Sequence, residues 1–503
     1  MSLRAKFLAA GASLLVLLVA WPVITHYRAE GKVEAYRREL KAKGEKLEVA
    51  ELVPLRSAGD FTNSAAWLTA ASFLRSSSPS YFNMPPTMKL VTPGKAMVSW
   101  QQRVLPTDET SNVWSGLSLE FDNNRQAIEG IQLALRGPIL AFDLNYQQGA
   151  TLLLPHLTKL KGGAQWLSAS AVLNLHEGQS KEAWTNLVAL SGLVVKYRDE
   201  PILISELVRI AIAAIAVAPT WEALQTSECD EPLLREVQTS WESVDFLAQA
   251  ESAFAMERTI MKRYFAEARD SYNSTMTSTM GSAMASYSAP PASRTVTEEI
   301  KEGLRSFVHR YPGYWIWKYW LSYDDELAEA QQIQAMLEAI RQARTEHFSP
   351  ALKKLEGEIA RVKQAHPNEG KWDNSGIAFS LEKSFPRIAD IEIQRSLLVT
   401  AIALKRYQLK HGTYPTELGS LKPEFLGEVP RDPMDGKPLR YRLNPDGSFL
   451  LYSVGEDGVD GGGDTTPSPD ASKQWARARD AVWPQPASAE EVKADFDKLK
   501  RRR

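Results

Sequence analysis

The chain has 503 residues, 44% of them hydrophobic, which suits a folded protein of about three domains. Lys and Arg total 59 and Asp and Glu total 61, so the formal net charge of -2 excludes a general electrostatic attraction to nucleic acid. The single cysteine, Cys229, excludes an internal disulfide framework and a cysteine-rich zinc site. We therefore expect no nucleic-acid partner and a fold that depends on its hydrophobic core.

The first predicted element is a membrane helix over residues 7–24. This stretch has no charged side chain, and at about 1.5 Å per residue its length just spans the hydrocarbon core of a bilayer. Arg4 and Lys6 precede it, as in the basic start of an export signal. Trp21 and Tyr27 fall where an interfacial aromatic belt would lie.

The alternative to a membrane anchor is a cleaved signal peptide. Cleavage after Ala20 would place Leu18, which is not small, at the third position before the cut, so we predict a retained anchor over residues 1–27. Basic residues after the span, beginning with Arg28, favour a cytoplasmic body under the positive-inside rule. A short basic start followed at once by an apolar run is typical of export, and we expect an exported body.

The next part, residues 28–385, is predicted to be a mainly helical soluble body. Residues 28–46 are charged and favour a helical stalk, whereas the prolines between residues 76 and 110 are typical of a surface loop. From residue 158 to about residue 226, apolar side chains recur at spacings of three and four around a break at Gly178. This pattern predicts a helical hairpin followed by a third, buried helix.

Two later stretches of the body stand out by composition. Residues 271–297 are rich in Ser, Thr, Met, Ala and Pro, which predicts a mobile loop. Residues 311–323 contain seven aromatic side chains, which favour a helix packed into the core. The alternative is a stacking platform for sugar rings or a second contact with lipid, because Trp and Tyr combine a broad apolar face with a polar rim.

The last part of the chain carries an ordered set of short motifs after a predicted helix over residues 388–410. The motifs are His411-Gly412-Thr413-Tyr414-Pro415, Val429-Pro430, Asp432-Pro433, Tyr452-Ser453, Asp457-Gly458 and Trp475. In this order they resemble the soluble domain of the major pseudopilin of type II secretion. The resemblance implies a small α+β domain over residues 386–485, followed by a charged tail over residues 486–503.

The local sequence favours the same fold for this part. Residues 438–443 and 448–454 alternate enough to be strands, and Asn444-Pro445-Asp446-Gly447 between them favours a hairpin because Asp-Gly tolerates positive φ. Pilin-like assembly is not expected, since the membrane segment lies far upstream and lacks the Glu that a pseudopilin helix carries near its start. The expected fold class is mainly α, with an N-terminal transmembrane helix, a helical-hairpin body and a small pseudopilin-like α+β domain with an antiparallel sheet.

A glycine-rich run over residues 454–464 holds several acidic side chains. The major pseudopilin binds calcium in its matching loop, so the resemblance implies a calcium site with Asp457 as the first candidate ligand and Asp464 and Asp470 as further ligands. Calcium prefers carboxylate and carbonyl oxygens, which such a loop can offer. An EF-hand is excluded because the twelfth position counted from Asp457 is Ser468. The alternative is a solvated turn without an ion.

The sequence contains no recognisable catalytic motif. His176-Glu177 lacks the second His of a zinc-binding helix, and the acidic neighbours of Cys229 predict a raised thiol pKa. His156 and His411 have no evident acidic or metal partner along the chain, which favours structural roles for both. We therefore predict no catalytic residue.

Three short motifs lie outside the C-terminal module: Asn63-Ser64-Ala65-Ala66, Leu154-Pro155-His156-Leu157 and Glu200-Pro201. With them, the whole chain is similar to uncharacterised bacterial envelope proteins that carry the same C-terminal module. This resemblance implies an architecture and no activity. With the predicted anchor and exported body, we expect a single-pass protein of the bacterial inner membrane, with its body in the periplasm and with an envelope protein or cell-wall polymer as partner. The favoured function is a non-enzymatic binding or scaffolding component. The alternatives are an envelope hydrolase, whose carboxylates the sequence does not single out, and an accessory subunit of a type II secretion-like apparatus.

Overall fold

The computed structural model describes residues 3–80, 84–105, 113–270, 314–367, 383–467, 476 and 478–501. Within these ranges the protein is mainly helical with two three-stranded sheets, which confirms the predicted mainly α class. The loop predicted over residues 271–297 lies outside the described ranges.

The elements of the described residues are numbered here in chain order. The helices are α1 (Leu3–Ala42), α2 (Ala58–Ser72), α3 (Val113–Ala134), α4 (His156–His176), α5 (Ser180–Lys196), α6 (Leu203–Leu224), α7 (Glu231–Glu242), α8 (Phe246–Asp270), α9 (Ser322–Thr345), α10 (Phe348–Ala365), α11 (Ser384–His411) and α12 (Ala489–Arg501). The strands are β1 (Lys89–Thr92), β2 (Lys95–Met97), β3 (Arg440–Leu443), β4 (Phe449–Ser453), β5 (Ala481–Val482) and β6 (Gln485–Pro486). A short helical segment, Tyr314–Ile316, continues through the π-helical turn Trp317–Leu321 into α9.

The predicted helical hairpin is confirmed as α4 and α5. The two helices are joined at Gly178, whose φ of +74° is a left-handed conformation that glycine adopts without a Cβ clash. Trp166 of α4 and Trp184 of α5 are fully buried, and α6 packs on both helices with Trp221 fully buried. These three helices form the centre of the hydrophobic core.

Helix α6 is the buried third helix that the sequence predicts. Where the structure describes side chains, which excludes residues 7–20 of α1, it is the one helix that is long and apolar enough to cross a membrane. Inside the fold, 67% of its most apolar stretch is buried, as is usual for a core helix. Residues 7–24, for which a membrane helix is predicted, are helical as part of α1.

The predicted stalk is helical, and it packs against the body. Residues 28–42 belong to α1, which runs for 40 residues without interruption and packs along α9. Val33 and Leu40 of this part are buried. The charged surface of residues 28–46 is therefore one side of an interface with the body, described in the next section.

The prediction of a surface loop over residues 76–110 is wrong for its middle. Strands β1 and β2 form an antiparallel hairpin there, and Ala96, Met97 and Ser99 are fully buried. The pattern is hard to recognise because each strand has only three or four residues. Strand β2 also pairs in parallel with β6, with Lys95 opposite Gln485. The β1–β2 hairpin is therefore joined to a strand near the C-terminal end of the chain.

The C-terminal part has the expected local order of helix, hairpin and antiparallel sheet. Helix α11 ends before Gly412, which has a φ of +80°. Strands β3 and β4 pair with Tyr441 opposite Leu451, which confirms the predicted hairpin, and β5 pairs antiparallel with β4. Helix α11 packs on α6 and α7, so one hydrophobic cluster extends from the body into this part.

Candidate functional site

Five exposed Trp and Tyr side chains lie near the end of the uncharged stretch of α1 and on the segment that leads into α9. Their exposed fractions are Trp21 69%, Tyr27 66%, Trp315 55%, Tyr319 45% and Trp320 47%. We call these five residues the aromatic belt. Trp21 and Tyr27 lie on α1, and the other three come from the segment that leads into α9.

His26 joins the two parts of the aromatic belt. Its Nδ1 atom lies 3.1 Å from the backbone oxygen of Tyr319, and its ring packs edge-on against Tyr323 at a centroid distance of 5.1 Å. His26 follows Trp21 by five residues, about 7.5 Å along the helix. The segment around Tyr319 is therefore held at the level of α1 where an interfacial belt is predicted.

Around the π-helical turn, one aromatic side chain of this segment is buried and others are exposed. Trp317 is buried, where its Nε1 donates to Asp325 at 2.8 Å and its ring stacks near Phe265. Trp315 and Tyr319 face solvent with parallel rings 5.9 Å apart. The predicted packing into the core is thus confirmed for Trp317 and wrong for the exposed rings, because a π turn shifts the helical register.

A polar cleft of about 680 Å³ opens beside the aromatic belt, between α1 and α8. Its lining carries charges of both signs, contributed by Glu30, Glu34, Arg37, Glu48, Lys262, Arg263, Arg269, Asp270 and Lys318. Ion pairs neutralise several of them. Lys262 lies 2.7 Å from Glu48, and Arg269 lies 2.7 Å from Glu326, which also pairs with Arg37. The cleft therefore has a charge-balanced lining.

Buried ion pairs and hydrogen bonds join the end of α1 to the body. We call the four residues that form them, Glu45, Arg258, Gln334 and Arg341, the ion-pair seam. The Glu45 carboxylate accepts from Arg258 at 3.0 Å, from Gln334 at 3.1 Å and from Arg341. Burial raises the pKa of the Glu45 carboxyl, but the hydrogen bonds from these three side chains outweigh burial and lower the pKa to about 2. Because Arg258 is itself buried, this seam holds α1, α8 and α9 in one arrangement.

The glycine-rich loop is organised around Asp480, a residue that sequence analysis did not single out. Asp480 is fully buried and accepts backbone N–H groups from Gly461 at 3.2 Å, Gly463 at 2.7 Å and Asp464 at 2.7 Å. The loop backbone turns around a carboxylate that lies 16 to 19 positions away in sequence, and no local sequence pattern predicts such a contact.

The structure places two of the three predicted calcium ligands, and Asp470 lies outside the described residues. Asp457 is exposed and accepts from the backbone of Val459 at 2.9 Å. Asp464 accepts from the backbone and hydroxyl of Thr466 at 3.0 and 2.6 Å. Over the described ranges, no three His, Cys, Asp or Glu side chains lie together as a metal site. A calcium ion here would therefore need backbone carbonyls, water and Asp470 to complete its six to eight ligands.

Asp432, from the Asp-Pro motif, is a second buried organiser of the C-terminal part. Its carboxylate accepts from the Ser453 hydroxyl at 2.7 Å and from the backbone N–H groups of Met434 and Val454 at 2.9 Å. Arg440 lies 3.2 Å from it. Burial raises the pKa of Asp432 above its ordinary value. The motif thus ties the loop after α11 to the end of β4.

His156 has an acidic partner in the fold, Glu200, which lies 44 positions away in sequence. Its Nε2 lies 3.0 Å from Oε1 of Glu200, and the same oxygen accepts from Tyr197 at 3.0 Å and from Ser205 at 2.6 Å. The ring of Phe142 stacks on His156 at 4.1 Å. All donors converge on Glu200, and the Ser205 hydroxyl contacts the acid instead of the imidazole. This network joins the start of α4 to the connection between α5 and α6.

Two buried carboxylates with raised pKa values, Glu222 and Glu206, have structural partners. Burial raises the pKa of Glu222 to about 8, although its two oxygens accept backbone N–H groups of Met88 and Ser99, each at 2.9 Å. Burial raises the pKa of Glu206 to about 7 against the charge of Arg209, which lies 3.1 Å away. Neither carboxylate lines the cleft beside the aromatic belt or the cleft of similar size between α7 and α11.

The remaining residues considered in the sequence have packed surroundings. His176 contacts the Trp100 backbone oxygen at 2.7 Å and stacks on Trp114 at 4.0 Å. Burial raises the pKa of the Cys229 thiol, so the predicted direction is confirmed and burial is the main cause. His411 packs against Tyr407 at 4.2 Å.

Comparisons of the chain with protein-family models, curated proteins and solved structures returned no match.

Proposed function

We propose that this protein is a single-pass component of the bacterial inner membrane, with α1 as its anchor and its body in the periplasm. The body serves as a non-enzymatic binding or scaffolding component for envelope proteins or cell-wall polymer. Catalysis needs polar groups that converge on an accessible pocket. In the described clefts, charged side chains mostly meet partners of opposite charge, which suits a recognition surface better than a reaction centre.

One observation carries this proposal. Helix α1 continues without a break from the uncharged residues 7–24 to Ala42, and Glu45, three residues beyond its end, is ion-paired with α8 and α9. An uncharged stretch of this length favours the hydrocarbon core of a bilayer over water. A body attached by one continuous helix would be held at a fixed distance and angle from the membrane, as a scaffold requires.

A narrower proposal is an accessory role in a type II secretion-like apparatus. Its support is the order of elements after α11, where a left-handed Gly412 cap precedes the β3–β4 hairpin. This order is what the resemblance to the major pseudopilin implies, together with calcium at Asp457, Asp464 and Asp470. The proposal predicts that the protein co-purifies with secretion components after cross-linking in cells that contain such an apparatus.

Carbonate extraction of membranes tests the anchor. The full-length protein should stay in the pellet, and deletion of residues 1–27 should release it into the supernatant. Leu15→Arg should weaken insertion, since a charge at the centre of a span costs about 2.5–3.5 kcal/mol. Lys41→Arg is the matched control and should behave like the unaltered protein. A deletion protein that is folded, monomeric and still in the pellet would contradict the anchor.

A further inference from the structure

We infer that the aromatic belt inserts into the headgroup region of the bilayer and forms a second membrane contact beside the α1 anchor. This inference rests on the proposed anchor and adds residues that are distant from it in sequence. Trp315, Tyr319 and Trp320 would seat the body directly on the membrane surface. The occupant of this exposed aromatic surface is therefore lipid.

The first support is position. The contact between His26 and the Tyr319 backbone oxygen places the middle of the Trp315–Trp320 segment beside the part of α1 that carries Trp21 and Tyr27. A helix that leaves a bilayer passes through the headgroup region at that level. The surface is thus continuous with the place where the anchor emerges.

The second support is chemistry. Trp and Tyr are enriched at membrane interfaces because each has a large apolar ring and a polar atom that can stay in contact with water or headgroups. Lys318 lies among these rings, with its Nζ 5.7 Å from the Trp315 ring centre and 5.8 Å from that of Tyr319. A lysine on a flexible stem can extend to a lipid phosphate while its methylene groups lie along apolar surface.

The third support is the way this segment is attached. Trp317 anchors it in the core through Asp325, and Arg269 lies over the Tyr323 ring at 4.0 Å. The exposed rings therefore project from a fixed base. Rigid attachment keeps the entropic cost of placing them in the interface small, because few side chains must become ordered on contact.

A stacking surface for sugar rings is the other class of partner that exposed Trp and Tyr can serve. The continuity with α1 favours lipid, since a sugar-binding platform would not need to lie at the level where the helix leaves the membrane. A sugar partner is therefore one outcome of the test below.

The test uses the full chain in lipid vesicles and single spin labels in a Cys229→Ser background, which removes the only native cysteine. Labels are placed at Trp320→Cys, at Leu15→Cys in the predicted span, and at Lys41→Cys. Lys41 is exposed and follows Trp21 by about 30 Å along α1, so it serves as the aqueous control. The measured quantity is the ratio of accessibility to oxygen, which dissolves in lipid, over accessibility to a polar nickel complex.

We expect the ratio at Trp320 to be several-fold higher than at Lys41 and lower than at Leu15. An aqueous value at Trp320 with a lipid value at Leu15 would overturn the second contact while keeping the anchor, and would favour a soluble partner such as a wall polymer. Aqueous values at both positions would overturn the anchor as well. Circular dichroism of each labelled protein checks that it remains folded.

Discussion

The carboxylate of Asp480 accepts the backbone N–H of Gly463 at 2.7 Å inside the glycine-rich loop of the C-terminal part. Two further backbone N–H groups of the same loop point at this carboxylate. Gly463 has a φ of +93°, a conformation that suits glycine. The loop conformation is therefore stabilised by hydrogen bonds to the Asp480 carboxylate of the protein itself.

Asp480→Ala should destabilise the protein by about 2 kcal/mol or more, because three backbone donors lose their buried acceptor. Asp457→Ala is the matched control, since this exposed carboxylate accepts one backbone N–H, and its effect should stay within about 0.5 kcal/mol. Urea unfolding of the full-length protein in mild detergent, followed by tryptophan fluorescence, measures both. Equal effects of the two substitutions would show that Asp480 does not organise the loop.

Calcium binding by the same loop stays a prediction of the pseudopilin resemblance. If Asp457, Asp464 and Asp470 hold calcium, millimolar calcium should raise the melting midpoint by mass action, and a chelator should reverse the increase. Asp457→Ala should abolish the response. A midpoint of the unaltered protein that is the same with calcium and with chelator would remove calcium from the account.

Glu45→Gln should weaken the seam between α1 and the body. The folded-state pKa of Glu45, at about 2, lies below its ordinary value of 4.5, so its stabilising contribution is present above pH 4.5. The contribution is lost as the pH falls through about 2. We expect the substitution to cost about 1–3 kcal/mol at pH 7, and the difference from the unaltered protein should shrink between pH 4.5 and pH 2.

Denaturant unfolding at several pH values measures this difference. The matched control is Glu39→Gln, because Glu39 is half-exposed and pairs with the exposed Lys43, one residue beyond the end of α1. Its effect should stay below about 1 kcal/mol. A Glu45→Gln effect as small as that of the control, or one that grows toward acid pH, would contradict the seam.

Val492→Ala should destabilise the contact between the last helix and the start of the body. Val492 of α12 is buried in a small cluster with Met97 and Trp114, so loss of its two methyl groups should cost about 1–2 kcal/mol. The adjacent Lys493 is exposed, and Lys493→Ala should be nearly neutral. Thermal unfolding compares the two variants, and indistinguishable midpoints would mean that α12 is not docked.

The sequence predicted the elements whose signals are local. The break at Gly178 and the Asp446-Gly447 turn each set a short connection between two regular elements, and both connections are found where they were predicted. Such signals depend on backbone preferences of a few neighbouring residues.

The sequence could not predict contacts between distant charged and polar groups. Glu45 and Arg258 are 213 positions apart, and either side chain alone is typical of a solvated helix face. The tail over residues 486–503 was expected only to be charged, yet its α12 packs on β1 and β2 through Val492 and two ion pairs. In the candidate site, the seven aromatic residues predict either a buried helix or an exposed surface. The π turn that separates the buried Trp317 from the exposed rings has no sequence signature.

We propose that the body lies on the outer side of the inner membrane and is attached through α1. The most direct test of this proposal places a cysteine at Val459, which is 64% exposed in the C-terminal loop, in the Cys229→Ser background. A membrane-impermeant maleimide is then added to spheroplasts that are intact or lysed, and the labelled protein is recovered from the carbonate-washed membrane pellet. If the body is periplasmic, we expect full labelling in intact spheroplasts. Labelling only after lysis would place the body in the cytoplasm and overturn the proposed orientation.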